Sequence, residues 1–292
     1  MSVDRRAVLA LGAGAALAVA VPAQAQASPV TGKLRELERQ HNARLGVFAT
    51  DTGTGRTVLH RADELFPMVS TFKTLVAAAI LRRDQDGSLL NKVIRYTEDD
   101  CIKSGYAKIT EQKENIANGM TVSALCDATI TFSDNCAANL LMRELGGPTA
   151  VTRFSRSIGD PVTRLDRWEP DLNSAEPGRV TDTTSPRAIG QSYARLTLGH
   201  ALNRADADQL TKWLLANTTG DHRIRAGLPA DWRWGDKTGT GKYGTTNDVG
   251  IAFPPGRSPI VVAVLSTKPS DKDAPADEPL LVEAARIVAG VL

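Results

Sequence analysis

The chain has 292 residues, a formal charge of +2 from 35 Lys+Arg and 33 Asp+Glu, 42% hydrophobic residues, four His and three Cys. That balance excludes the disordered, collagen-like and coiled-coil classes and gives no electrostatic reason to expect a nucleic-acid partner. Three Cys cannot build a disulfide framework, and His41, His60, His200 and His222 never fall into HxH or HExxH spacing, so no metal or cofactor is expected.

Asp4-Arg5-Arg6, the apolar run Ala7 to Val21 and the small-residue exit Pro22 to Ala27 follow one another in the order of a secretory signal, residues 1–27. The apolar run is too short to cross ~30 Å of hydrocarbon, and no Cys near the cleavage region offers a lipid anchor. Arg5-Arg6 with Leu9 points to twin-arginine export, although Asp4 and Val8 depart from that pattern. The expectation is an exported chain, periplasmic, cell-envelope or secreted, with cleavage after Ala25 or Ala27.

Leu34 and Leu37 mark a helical face within Thr31 to Asn42. Residues 44–50 and 56–60 flank Asp51-Thr52-Gly53-Thr54-Gly55 as a β-hairpin. From Ser70 a helix carries Phe72, Leu75, Val76, Ala79 and Ile80 on one face and ends near Gly87. Helices follow at Thr121 to Thr131 and Asp134 to Leu145, the second closed by Gly146-Gly147 with Pro148 beyond. Pro161 to Ser185 shows no period and reads as one long loop, a length that in a compact domain points to function. Helices at Pro186–Gly199 and Asp206–Asn217 precede β-rich segments at Trp232–Thr238, Asn247–Phe253 and Ile260–Thr267. Glu278 to Val291 closes the chain as an amphipathic helix. Strands confined to the two ends share a sheet only if the termini meet. The expected fold is α/β (α+β): an antiparallel five-stranded sheet with terminal helices, formed by 28–68 and 218–292. A helical lobe, 69–217, is inserted between its strands and contains the 167–182 loop.

Ser70-Thr71-Phe72-Lys73 places a serine and a lysine on one helix face, where an amine can help deprotonate a hydroxyl at a helix start. Ser133-Asp134-Asn135 opens a helix; Ser133 can pass a proton and Asn135 offers an amide donor and acceptor. Glu169-Pro170-Asp171-Leu172-Asn173 presents a carboxylate beside an amide in the long loop, suited to activating water. Lys237-Thr238-Gly239-Thr240 ends a strand with a cation for a substrate carboxylate and a glycine that admits close approach. Arg167 and Asp182 are expected to pair across the neck of the loop. Each motif alone is weak, since each doubles as a helix cap, a solvated charge or a strand end.

Together, in this order, they resemble the class A serine β-lactamases over Ser28 to Leu292, especially actinobacterial members. The resemblance implies an active site between the lobes and β-lactams as small-molecule partners of a monomer. Ser70 would form the acyl-enzyme, Lys73 and Glu169 would share its activation, and Ser133 would relay a proton to the lactam nitrogen. Glu169 and Asn173 would direct water to the ester. Asn135 would contact the acyl-amide side chain, and the backbone of Ser70 and Thr240 would hold the oxyanion. Lys237, Thr238, Gly239 and Thr240 would line the carboxylate site, helped by Arg223 of Thr218 to Arg225 in preference to Arg225. Penicillin-binding D,D-peptidases and penicillin sensors share the first motifs but lack the water-directing glutamate, so Glu169 favours hydrolysis. Val69 and Gly241 replace a cysteine pair frequent in members with broad carbapenem activity, and Ala77 replaces a family partner of Cys126. Buried free thiols are the expected state of the three cysteines, with a Cys126–Cys136 bridge as the alternative. Tyr106 and Lys108 compete for the lip of the cleft.

Overall fold

The computed structural model describes residues 29–292; the export signal read over 1–27 lies outside the described residues. An antiparallel sheet of five strands forms the centre: β1 Arg44–Asp51, β2 Thr57–His60, β3 Arg233–Thr240, β4 Thr246–Phe253 and β5 Ile260–Thr267. Their order in space is β2-β1-β5-β4-β3. The first hairpin therefore joins the last strand, with Arg44 opposite Thr267 and Asp51 opposite Ile260. The termini meet in one sheet, as the confinement of strands to both ends requires.

Both faces of that sheet are covered, which is why β5 is buried along its whole length. The period-two alternation sends Ile260, Val262 and Val264 one way and Val261, Ala263 and Leu265 the other. The first set packs on two terminal helices, α1 Pro29–Gln40 through Leu34 and Leu37 and α9 Glu278–Ala289 through Leu280, Leu281, Ala284 and Val288. The second set meets the helical lobe through Ile189, Tyr193 and Leu196 of α7 Pro186–Thr197 and through α8 Arg204–Leu215. A Cβ on Gly190 would stand 2.6 Å from the Phe48 ring, so the glycine lets α7 lie close on β1.

The lobe is built around α2, Lys73–Arg83. The one-sided apolar stripe expected there is too narrow: every residue from Lys73 to Leu81 is buried. A helix surrounded on all sides needs small residues as well as large ones, and Thr74, Ala77, Ala78 and Ala79 supply them. Around it stand α3 Glu98–Ser104, α4 Val122–Thr131, α5 Asn135–Leu145 and α6 Pro148–Ser157. The last was missed in the sequence because Pro148 reads as a stop after Gly146-Gly147. It instead occupies the first turn of a new helix, where its absent N–H costs nothing.

The long loop is not without structure. It holds a 3-10 turn at Asp171–Ser174 and a two-residue strand, Thr183–Thr184, paired with Phe66–Pro67. The expected neck pair is present: Arg167 Nε meets Asp182 Oδ2 at 2.6 Å, and Asp182 Oδ1 also accepts from the backbone N–H of Asp166 and Arg167. Asp182 is 1% exposed, so these donors replace water around a buried carboxylate. Arg167→Ser should therefore lower amide protection across 167–182 by roughly 10- to 100-fold, the equivalent of about 2 kcal/mol for charged hydrogen bonds. Unchanged hydrogen exchange there would remove the pair from the account of loop order.

All three cysteines are free and buried, so the Cys126–Cys136 bridge left open by the sequence does not form. The neighbour of Cys136 is Cys101, because α3 and not α4 brings a thiol against the first turn of α5.

Candidate active site

The residues preceding Ser70 set its position before α2 begins. Val69 holds φ at 41°, a left-handed conformation that costs a β-branched residue about 1–3 kcal/mol. Val69–Phe72 then form a 3-10 turn that runs into α2, so Ser70 stands one turn ahead of the α-helix and not inside it. Surrounding bonds hold this turn: Asn247 Nδ2 donates to the Pro67 and Met68 carbonyls, and Tyr193 Oη to the Thr71 carbonyl. β3 is the edge strand of the sheet and lies flush against the same turn. A Cβ on Gly239 would stand 2.5 Å from Val69 Cγ2 and 3.2 Å from Ser70 N, which fixes glycine there for close approach. Gly241 is similarly tight against Val69, so the replaced cysteine positions are spatial neighbours that here carry no sulfur.

Lys73 is fully buried and joins three of the motifs. Its Nζ donates to the Ser133 carbonyl at 2.7 Å, to Ser133 Oγ at 3.3 Å and to Asn135 Oδ1 at 2.6 Å. The same ammonium is 3.1 Å from Glu169 Oε1. Burial pushes the Lys73 amine below its ordinary range, while the Glu169 carboxylate pulls in the opposite direction. Glu169 Oε1 lies 3.5 Å from Ser70 Oγ, and Oε2 accepts from Asn173 Nδ2 at 2.5 Å. Asn173 Oδ1 is buried without a protein partner among the described residues, leaving an acceptor beside the carboxylate.

Sequence reasoning missed two supports. Asn139 grips Glu169 by its backbone, donating to its carbonyl at 3.0 Å and accepting from its N–H at 3.1 Å. Its signal was available: Asn139 stands four residues after Asn135, on the same face of α5. Asp134, read as a helix cap, does cap Ala137 N. It also accepts from the Ile109 and Thr110 N–H groups and the Thr110 hydroxyl, tying the 105–110 segment to α5. That second use requires residues distant in the chain and leaves no local pattern.

Asn135 is already engaged: Oδ1 accepts from Lys73 Nζ, Nδ2 donates to the Ser104 carbonyl at 3.0 Å, and its backbone N–H donates to the Tyr106 carbonyl at 2.8 Å. In this state its side chain therefore positions Lys73 and the 104–106 segment. Between the two lip candidates, Tyr106 borders the site through that carbonyl and exposes its ring, while Lys108 sits over the Phe132 ring.

The opposite wall is basic. Lys237 is buried, and burial with the nearby Lys73 charge holds its amine well below the usual lysine range. An anionic substrate group would reverse that by supplying the missing counter-charge. Arg223 donates to the Gly239 and Asn247 carbonyls at 2.8 Å and to Thr240 Oγ1 at 2.6 Å, so it reaches the strand end as expected. Arg225 turns instead to the Trp234 carbonyl and Asp236. Thr238 Oγ1 lies 2.5 Å from Thr219 Oγ1, adding a residue of the 218–225 run to this wall. Beneath it, Asp236 and Asp248 are both buried; burial pushes Asp236 up to about 6, and burial together with the neighbouring Asp236 charge holds Asp248 well above the usual carboxylate range. One proton shared by the two carboxyls avoids burying two like charges.

Ser70, Lys73, Ser133, Asn135, Glu169 and Asn173 thus form one bonded network, faced by Lys237 to Thr240 on β3, whose end the Arg223 side chain reaches. Among the described residues no group of His, Cys, Asp and Glu is arranged to hold a metal, and no helix is long and apolar enough to cross a membrane.

The chain as a whole is similar to known proteins. A family model described as the beta-lactamase enzyme family matches residues 29–292. A beta-lactamase of Streptomyces fradiae is 61% identical over 98% of this chain and 96% of its own. A carbapenem-hydrolyzing beta-lactamase KPC from Klebsiella oxytoca is 47% identical over 98% and 97%. The solved beta-lactamase from Streptomyces albus G superposes with a TM-score of 0.89 at 61% identity, covering 91% of this chain and 100% of that one.

Proposed function

The chain belongs to the class A beta-lactamase enzyme family, and on that premise we propose that Ser70 opens the β-lactam ring and Glu169 directs hydrolysis of the resulting ester. Hydrolysis of the β-lactam amide bond, which confers antibiotic resistance, is the activity of the enzyme. The observation that carries the assignment of roles is the position of Glu169, within reach of Ser70, Lys73 and Asn173 together.

Ser70 Oγ attacks the lactam carbonyl as its proton passes to the Lys73–Glu169 pair, which shares the charge. The oxyanion develops toward the backbone N–H groups of Ser70 and Thr240, an interaction worth roughly 3–4 kcal/mol per donor in other hydrolases. The lactam nitrogen takes its proton from Ser133 Oγ, which Lys73 replenishes over 3.3 Å. Glu169 then removes a proton from water held with Asn173, and the acyl ester is cleaved. The substrate carboxylate lies against Lys237, Thr238 and Thr240, with Arg223 behind them. Penicillins and cephalosporins both carry that carboxylate and are the proposed substrates.

A monomer is the proposed state, as the resemblance to the class A serine β-lactamases implies. The charged, apolar and small-residue order of 1–27 supports export to the periplasm, the cell envelope or the medium.

Turnover of benzylpenicillin and of a cephalosporin tests the reading. Arg223→Ala should raise KM by roughly 10-fold or more, since a charged contact behind the carboxylate site is lost. Arg225→Ala should leave KM within about twofold, its contacts being to Trp234 and Asp236. The reverse ranking would overturn the assignment of Arg223.

A further inference from the structure

Two thiols lie directly behind Asn135. Cys136 follows it in the first turn of α5, Cys101 lies in α3, and their sulfurs are 3.6 Å apart. The Thr110 side chain stands beside both. The same α3–α5 contact carries the Asn135 bonds to the Ser104 and Tyr106 carbonyls and the Arg143–Asp100 ion pair at 2.8 Å. Cys126 is buried apart from the pair, in α4.

We propose that Cys101 and Cys136 are a latent oxidation site, at which a peroxide converts the thiol pair into a disulfide tying α3 to the first turn of α5. Cys101 is 5% exposed against 1% for Cys136, so its sulfur reacts first. That sulfur displaces water from the peroxide and becomes a sulfenic acid. The Cys136 sulfur then attacks it, the S–S bond forms and a second water leaves. The peroxide accepts the two electrons, and both thiol protons end in the two waters. Burial pushes both thiols above their ordinary range, so neither stands as a thiolate and the reaction waits on local opening of α3. The product closes the 35-residue separation between the two positions and removes open conformations of the unfolded chain. It also pins the cleft wall at Ser104–Tyr106 against Asn135.

The test treats the reduced full chain with hydrogen peroxide and maps its peptides without reductant. A linked 101–136 pair is expected, lighter by ~2 Da than the two free peptides, with Cys126 still open to alkylation after unfolding. Melting temperature should rise by roughly 5–10 °C and fall back with dithiothreitol. Cys136→Ser and Cys101→Ala should each lose the link and the shift; if one of them does not fold, the other and the peptide map decide. Oxygen added to the cysteines without a link, a link through Cys126, or oxidised methionines beside untouched thiols would each overturn the proposal.

Discussion

Glu169→Ala is expected to be acylated by benzylpenicillin at Ser70 and then to release the adduct about 10³-fold more slowly. The two halves of that result have different causes. Deacylation fails because Glu169 is the carboxylate that Asn173 holds within reach of Ser70, and it takes the proton of water. Acylation survives because removing Glu169 removes the charge that held the Lys73 amine up, while burial continues to push it down. An amine one turn on from Ser70, once its proton is lost, is itself a base. Intact-mass measurement after brief mixing should show nearly all of the variant as acyl-enzyme, with a nitrocefin burst close to one per molecule. A variant that turns over at the wild-type rate, or that carries no adduct, would sink the division of labour.

Lys73→Ala should fail at the opposite step. The adduct should form about 10³-fold more slowly, because the group that accepts from Ser70 and resupplies Ser133 is gone. Stability should also fall, by about 3 kcal/mol, since the buried Glu169 carboxylate loses its cation and Asn135 Oδ1 loses its donor. Mass spectrometry over minutes and a thermal melt read the two effects separately. Rapid acylation of this variant would move the base entirely to Glu169. The pair of variants thus separates ring opening from ester hydrolysis, and their effects should not add, because both residues belong to one network.

The legible features were local ones. The final strand is legible at its observed bounds, Ile260–Thr267, because a β-branched run between turn residues has no competing helical period. The Arg167–Asp182 pair followed from the need to close a long loop, and its geometry agrees. The helix at 148–157 was lost because a proline after two glycines signals a stop and a start equally well. The cysteines show the same limit from another side: Cys126 and Cys136 are near in sequence, yet packing of α3 gives Cys136 a different neighbour.

By itself the sequence determined the chemistry available: a serine, a lysine, a second serine, a loop glutamate and a strand-end lysine, in an order that marks a family. Short motifs carry that information because each is bound to one turn of helix, one loop or one strand end. Only the tertiary structure decided how these residues share charge. The burial of Lys73, its contacts with Glu169, Ser133 and Asn135, and the hold of Asn139 on the Glu169 backbone all join elements far apart in the chain. Proton affinities and reach depend on desolvation and on distances of a few ångströms, and those exist only once the helical lobe has packed against the sheet.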